Sequence, residues 1–480
     1  MDEFIQKLLN APTESQILEF KRLDGNKVIE KIIETIVAMA NTDGGLIVLG
    51  IDDPEKTTLK GVQRIFGIEE NLDLFDNIGR EIQFIVPPLS NIWPPQKIHV
   101  EEVNKTVGIL FVPKAVDGFK SKNKKVYIRQ EKSNLLLSPQ EIIKFSYAKG
   151  FERADKELVD VSLELLETET YRIWKNARKL EYPNIFETLL KTGLARKDKD
   201  IIKPTRAAVL LFADHPSDLM DTKSTIRVFQ YEGNIETIQD VPNLIGVPET
   251  IEGPIIKQIA KAHEYVLSLL RSGIRIPSGF TTQYLIPERA IKEAVTNAVI
   301  HRDYYVKRDI TVRIFEDRVE IESPGLLPFN ITPSNIGYVR SEGYRNDLLV
   351  KHLREFPEPP NLDQNEGIRA MRAEMKAGSL YPPIFITYPY LQDGLRVVLL
   401  NEKIATEWEK VSYYLERNDF ITNEQARKLT GVVQTYKMTK ILKNWVEKGL
   451  LNQIVPKSGF IKGTQYRLPM PRNIQDSSIS

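Results

Sequence analysis

Between Ile286 and Tyr305 the chain reads IPERAIKEAVTNAVIHRDYY, and no other stretch restricts its folding so closely. Ala290, Ile291, Ala294, Val295, Ala298 and Val299 recur at helical spacing and make one apolar stripe. Pro287 stands where the first turn of a helix tolerates proline. Glu293, Asn297 and His301 are spaced i, i+4, i+8, so they share one edge of that stripe. A carboxylate and a carboxamide oxygen one turn apart can face a common cavity. There the amide can ligate a hard cation such as magnesium, and the carboxylate can orient or deprotonate a water. By spacing alone, the same three residues equally fit the polar edge of a half-buried helix.

The blocks downstream of the helix separate those readings. The strands DITVRIF and RVEIES lead to the turn SPGLLP, then to Gly343 in VRSEGYRNDLL and to NEGIRAMRAEM, a helix with Gly367 near its first turn. Glycine at a helix N-terminus lets backbone N–H groups approach a phosphate closely. In this order the blocks resemble the GHKL (Bergerat) ATPase region of bacterial regulators often labelled RecG-like helicases. The resemblance covers residues 186–402, with its core at about 286–402. It rests on EAVTNAVIHRDY, SPGLLP, the pair Arg345 and Asn346, and EGIRAM. It implies an α/β sandwich that binds ATP with Mg2+, in which Glu293 activates the attacking water and Asn297 binds the magnesium. Gly325, Arg345, Asn346 and Gly367 would complete the nucleotide site, with His301 a further catalytic candidate. Two departures stand out. The adenine-contacting aspartate of the GHKL turn is missing from Glu322-Ser323-Pro324-Gly325, and the phosphate loop is Asn365-Glu366-Gly367 rather than a run of glycines. Binding is therefore better supported than turnover. No GxxxxGK[ST] loop occurs, so the helicase label gains no support.

At 480 residues the chain exceeds one core, and about 100–200 residues per domain predicts three or four. A net charge of +1 means that contact with nucleic acid must come from local basic patches. The absence of cysteine excludes disulfides, thiolate zinc sites and a cysteine nucleophile. The longest apolar runs, Leu46 to Ile51 and Ala207 to Ala213, are strand-sized and far short of the roughly 20 residues of a membrane span. MDEFIQKLLNAPTES lacks the basic and apolar regions of a signal peptide. A soluble, cytoplasmic protein without a membrane partner is expected.

Residues 1–148 mix helix and strand: a helix at Val28 to Ala40, the turn NTDGG, the strand LIVLGI and a basic hairpin-like segment at 119–130. Lys120, Lys122, Lys124, Lys125, Arg129 and Lys132 crowd that segment, either to follow a phosphate backbone or to protect a sheet edge. TESQILEFKR, ANTDGGLIVLGIDD and VYIRQEKSNLLLSPQEI resemble the AlbA-type domain shared with Schlafen proteins. The resemblance implies an α+β nucleic-acid-binding domain, for DNA or alternatively RNA. Schlafen nucleases hold a divalent cation with three carboxylates, and Glu14, Glu19 and Asp52 occupy matching positions. The plainer alternative pairs Glu19 with a neighbouring lysine or arginine and lets Asp52 and Asp53 end a strand.

Residues 149–185 read as a charged helical connector, followed by the strand AAVLLFA and a helix near 254–272. Residues 403–469 read as three short helices and two strands, and resemble a winged helix-turn-helix. Thr422 is the expected N-cap of a second helix ending at Gly431. The third helix, about 433–448, would offer Lys437, Lys440 and Lys443 to phosphates and Gln434 and Thr435 to base edges, with KSGFIKG as the wing tip. A flexible tail takes up 470–480. The fold class expected is α+β multidomain. The expected function is an ATP-binding, DNA-binding homo-oligomer with slow ATP hydrolysis, acting as an ATP-responsive transcriptional regulator or in genome defence. The alternatives are an ATP-gated, metal-dependent endoribonuclease of Schlafen type and a DNA-binding repressor whose nucleotide site is vestigial.

Overall fold

The turn NTDGG fixes how the first sheet begins. A Cβ on Gly45 would lie 2.5 Å from the carbonyl oxygen of Ile17, so only glycine lets the two backbones meet there. The computed structural model describes residues 3–25, 27–220, 222–237, 243–272, 274–275, 281–282, 284–360, 367–454 and 464–469. These belong to two compact units, Met1–Lys144 with Ala405–Ser480, and Phe145–Ile404.

The first unit opens with α1 (Glu3–Asn10), β1 (Leu18–Lys21), α2 (Val28–Ala40) and β2 (Gly45–Leu49). It continues through α3 (Leu72–Ile82), β3 (Gln96–Val100), β4 (Lys105–Val112) and the hairpin β5 (Tyr127–Gln130) and β6 (Ser133–Leu136). The sheet order is β1-β2-β4-β3, with β1 parallel to β2 and the other pairs antiparallel. Every residue of β2 is buried, because alternation sends Ile47 and Leu49 into a core shared with α2 and Leu46 and Val48 into one shared with α1. Asn41, at the end of α2, ties in the hairpin. Its amide donates to the carbonyls of Lys120 at 2.8 Å and Tyr127 at 2.9 Å, and its oxygen accepts from Lys120 N at 2.6 Å.

α4 (Pro139–Lys149) carries the chain into the second unit, which contains α5 (Glu169–Ala177), α6 (Ile185–Thr192), β7 (Ala195–Asp198), β8 (Ile201–Pro204), α7 (Arg206–Phe212) and α8 (Pro216–Leu219). Next come β9 (Ile226–Gln230), β10 (Glu249–Ile251), α9 (Ile255–Ser272), β11 (Ile274–Arg275), β12 (Thr281–Thr282) and α10 (Glu288–Ile300). The unit closes with β13 (Ile310–Ile314), β14 (Arg318–Pro324), α11 (Asp347–Leu353), α12 (Gly367–Ala377), β15 (Ile384–Ile386) and β16 (Gly394–Leu400).

One expectation is corrected here. AAVLLFA is the buried helix α7, not a strand; Thr205 caps it by accepting from Ala208 N, and an apolar run buried on all sides carries no period that tells helix from strand. Within residues 149–185, expected as a helical connector, Leu163, Leu166, Tyr171 and Trp174 lie in the core of this unit. The main sheet has the order β10-β9-β13-β14-β16-β15. Ile310, Val312, Ile314, Val319 and Ile321 enter the core with the apolar stripe of α10. On the opposite face Arg313 and Arg396 bind Glu322 at 3.2 and 2.7 Å.

The last segment returns to the first unit with α13 (Thr406–Leu415), β17 (Ile421–Thr422), α14 (Asn423–Thr430), α15 (Thr435–Glu447), β18 (Asn452–Ile454) and β19 (Gln465–Arg467), the strands in the order β17-β19-β18. Trp408 and Trp445 meet edge to face at 5.1 Å between centroids. Thr422 and Gln425 form a capping box, and Gly431 ends α14 at φ +81°. The expected wing tip KSGFIKG, the residues Asn365 and Glu366, and the tail 470–480 lie outside the described residues.

Candidate nucleotide and nucleic-acid sites

The polar edge of α10 opens into a cavity of about 490 Å³, within the size range of small-molecule pockets. Glu293, Asn297 and His301 all line it, as do Gly325 and Gly367. Much of the remaining wall is apolar, including Ile321, Leu327, Ile336, Met371 and Val397. Gly367 begins α12, and a Cβ there would fall 2.6 Å from Glu293 Oε2 and 3.0 Å from Asn297 Nδ2. The bare backbone thus brings the positive end of a helix against a carboxylate and an amide. Burial pushes the Glu293 carboxyl above its usual range, against the lowering pull of Arg289. Among the described residues the buried Asn297 amide nitrogen has no hydrogen-bond partner.

His301 also faces the cavity, stacked on Tyr344 at 5.6 Å. Burial, with Arg345 adding repulsion, lowers its pKa to about 4, so the ring is neutral near pH 7. A neutral imidazole can accept a proton but has no charge to offer a phosphate.

Arg345 and Asn346 have a different place from the expected one. Arg345 Nε donates to His301 O at 2.9 Å, and its other nitrogens donate to the carbonyls of Tyr147 and Leu326. Asn346 donates to Ile300 O and Arg302 O, both at 2.8 Å. Both are buried and neither lines the cavity. Buried carbonyls at the end of α10 need donors, and these side chains supply them. In this structure they brace the end of α10. In the turn, Glu322 is turned to the arginines of the outer face, while Ser323 lines the cavity and donates to Ala298 O at 2.7 Å. Alternation along β14 dictates that choice. Ser323 and the apolar wall were missed in the sequence because only the turn was read, not which face each residue took.

Among the described residues no group of three or more His, Cys, Asp or Glu side chains is placed to hold a metal ion. Magnesium held by a nucleotide needs few protein ligands, since phosphates and waters fill the rest. The side-chain oxygen of Asn297 would hold such an ion, while its unpartnered nitrogen, a donor, suits a phosphate oxygen rather than the cation.

In the first unit, Glu14, Glu19 and Asp52 are all buried. Glu19 is ion-paired with Lys21 and Arg129. Glu14 accepts from Phe20 N at 3.0 Å, and Arg22 lies 3.4 Å from Asp52. Burial, then the Glu19 charge, raises the Glu14 carboxyl above its usual range. In this structure the carboxylates are held by cations and a backbone amide.

The basic segment divides in two. Lys120 is buried against Asp117 at 2.7 Å and Arg129 is buried on Glu19, so these two are internal supports and not phosphate contacts. Lys122 meets Glu81 at 2.7 Å, and Lys132 meets Glu55 at 2.6 Å. Lys124 and Lys125 are exposed. On α15, Met438, Leu442 and Trp445 face inward while Gln434, Thr435, Lys437, Lys440 and Lys443 are exposed, with Lys443 3.8 Å from Glu447. Tyr436, also exposed, was not singled out; its place off the i, i+4 apolar stripe was the available signal.

With this geometry in place, comparison with known proteins adds two findings. Residues 14–138 match the family described as "Schlafen, AlbA_2". Residues 307–399 match the family described as "Putative ATP-dependent DNA helicase recG C-terminal". The chain therefore joins an AlbA_2-type domain to a recG-C-terminal-type domain; Glu293 and Asn297 precede the second matched span. No curated protein matches the chain. Among solved structures it is similar to the DIP2311 protein from Corynebacterium diphtheriae, at 16% identity over 94% of this chain and 95% of that one. The TM-score of 0.39 is too low to argue a common fold. Among the described residues no helix is long and apolar enough to cross a membrane.

Proposed function

We propose that this is an ATP-binding, nucleic-acid-binding protein whose DNA contacts respond to the nucleotide, acting as a transcriptional regulator or in genome defence. The cavity that collects Glu293, Asn297 and Gly367 carries the reading. The start of α12 offers backbone N–H groups to phosphates, and Gly367 allows the approach. Asn297 presents its amide oxygen to the magnesium that accompanies the nucleotide. That ion would neutralise charge on the phosphate oxygens. Glu293, its carboxyl raised by burial, would take a proton from the attacking water. The apolar wall around Ile321 and Val397 suits a purine ring. Without the turn aspartate, slow turnover is the expectation. The fold of 406–467 supports a winged-helix role for α15, with Gln434 and Thr435 toward bases and Lys437, Lys440 and Lys443 toward phosphates. A cytoplasmic homo-oligomer that grips DNA through more than one domain gains avidity.

The test is calorimetric titration of the full chain with a non-hydrolysable ATP analogue, with and without magnesium. Binding strengthened by magnesium, with that gain lost in Asn297→Ala, supports the reading. Equal affinity in both proteins with magnesium present points to a vestigial site, and no binding at millimolar analogue rejects it.

A further inference from the structure

The basic hairpin keeps a lysine where its backbone favours glycine. Lys122 N donates to Lys125 O at 3.1 Å, and Lys125 N donates to Lys122 O at 2.9 Å. Asn123 and Lys124 therefore form a two-residue turn, with φ of 52° and 62°. Asparagine tolerates the left-handed region; the second position normally takes glycine, because a Cβ is disfavoured there. Lys124 holds it nonetheless and is exposed, as is Lys125. Neither makes an ion pair among the described residues. Strain retained at a surface tip is a pointer to function.

Beside this turn stands an aromatic ring that the core does not use. Phe84 is 61% exposed and Val86 62%, while Ile85 between them is buried. The backbones of Val86 and Ser121 exchange hydrogen bonds of 2.9 and 2.7 Å, which ties this segment to the hairpin. Lys122 Nζ lies 4.4 Å from the Phe84 ring centroid and 2.7 Å from Glu81, so the ring's place is set by its own domain. A largely exposed ring, held by Lys122 next to a turn whose Lys124 and Lys125 make no ion pair among the described residues, is complementary to a ligand that alternates flat rings with negative charges. Single-stranded nucleic acid has that chemistry. A duplex offers the phosphates but hides its base faces.

We infer that Phe84, Lys124 and Lys125 form a binding site for single-stranded nucleic acid, with an unpaired base stacked on Phe84 and flanking phosphates at the two lysines. The inference rests on the nucleic-acid reading of this domain and specifies the state of the strand. Exposure of Phe84 means that its removal spares the core, so the variants remain folded.

The experiment is fluorescence anisotropy of the full chain with labelled oligo-dT, oligo-rU and a duplex of matching length. Phe84→Ala should weaken the better single-stranded ligand by roughly 5- to 150-fold, with Phe84→Trp restoring it and duplex affinity little changed. Lys124→Gly relieves the turn, so the melting temperature should hold or rise while affinity falls. The slope of log affinity against log salt should shrink by about 0.7. Tight binding of either sugar supports the inference. Duplex bound as tightly as single strand, or single-strand affinity unmoved by Phe84→Ala, overturns it alone. Displacement of the oligonucleotide by polyglutamate at equal charge assigns the surface to an acidic protein partner instead. If no nucleic acid binds, the reading of the domain falls as well.

Discussion

Gly367→Ala should damage nucleotide binding while leaving the fold intact. Gly367 is the first residue of the helix α12, a position at which alanine is a good helix former. In a helix interior the exchange would gain about 1 kcal/mol, and less at a first turn. Against this, the new Cβ would sit 2.6 Å from Glu293 Oε2 and 3.0 Å from Asn297 Nδ2. Those atoms are the ends of side chains, and pushing them about 30° off their rotamers costs about 0.5–1.5 kcal/mol. The two terms nearly cancel, so the melting temperature should shift by no more than about 2–4 °C in either direction. The site does not recover in the same way. The methyl group occupies the space through which a phosphate reaches the α12 amides. Loss of one charge-assisted hydrogen bond is worth about 1.5–3 kcal/mol, or roughly 10- to 150-fold in Kd. Thermal unfolding and calorimetric titration of the ATP analogue, on one preparation, measure both quantities. An unchanged melting temperature with affinity within about threefold of the native chain would refute the placement of phosphate at α12.

Two further outcomes are expected from the groups around α10. Asn346→Ala strips donors from the carbonyls of Ile300 and Arg302; at about 1–3 kcal/mol for each buried group left unpaired, it should lower the melting temperature by several degrees, read by calorimetry. His301 has a folded-state pKa of about 4 against an ordinary value near 6.5, so below pH 6.5 the unfolded chain binds the extra proton. Its contribution to stability is complete above pH 6.5 and lost as pH falls toward 4, and His263 adds to this with the same sign. Asp155, raised to about 6 by burial, opposes both, so the comparison to make is between the native chain and His301→Gln. The variant should lose less of its melting temperature between pH 7 and 5, and parallel curves would show that His301 is not held neutral by burial.

Where periodicity was clean, the sequence could be read almost to the residue. The helix Val28–Ala40, the Leu46–Leu49 part of the expected strand LIVLGI, the stripe of α10 and the Thr422 cap all stand in the structure, because one-sided burial imposes a period on the chain. AAVLLFA defeated that logic because burial on every side erases the period. The convergence of Glu293, Asn297 and Gly367 was legible in spacing and the order of blocks. The bracing roles of Arg345 and Asn346 were not. A polar residue near a site reads the same in sequence whether it meets a ligand or a distant carbonyl, and only the fold supplies the carbonyl. The basic segment shows the same limit: its cations look alike in sequence, yet Lys120 and Arg129 fell inside while Lys124 and Lys125 are exposed.

The burial of Ala207 to Phe212 in α7 bears on how the second unit can be handled. Residues Ala207 to Ala213 have no exposed surface, and they share one core with Trp174, Ile226 and the stripe of α10. A fragment cut to the nucleotide-site core at 286–402 would leave behind the helix and strands that cover that stripe, and its apolar face would drive aggregation. Fragments meant for binding studies should begin no later than the stretch near 154–174. In hydrogen exchange, the α7 amides should open only with cooperative unfolding of the whole unit, and so report its global stability.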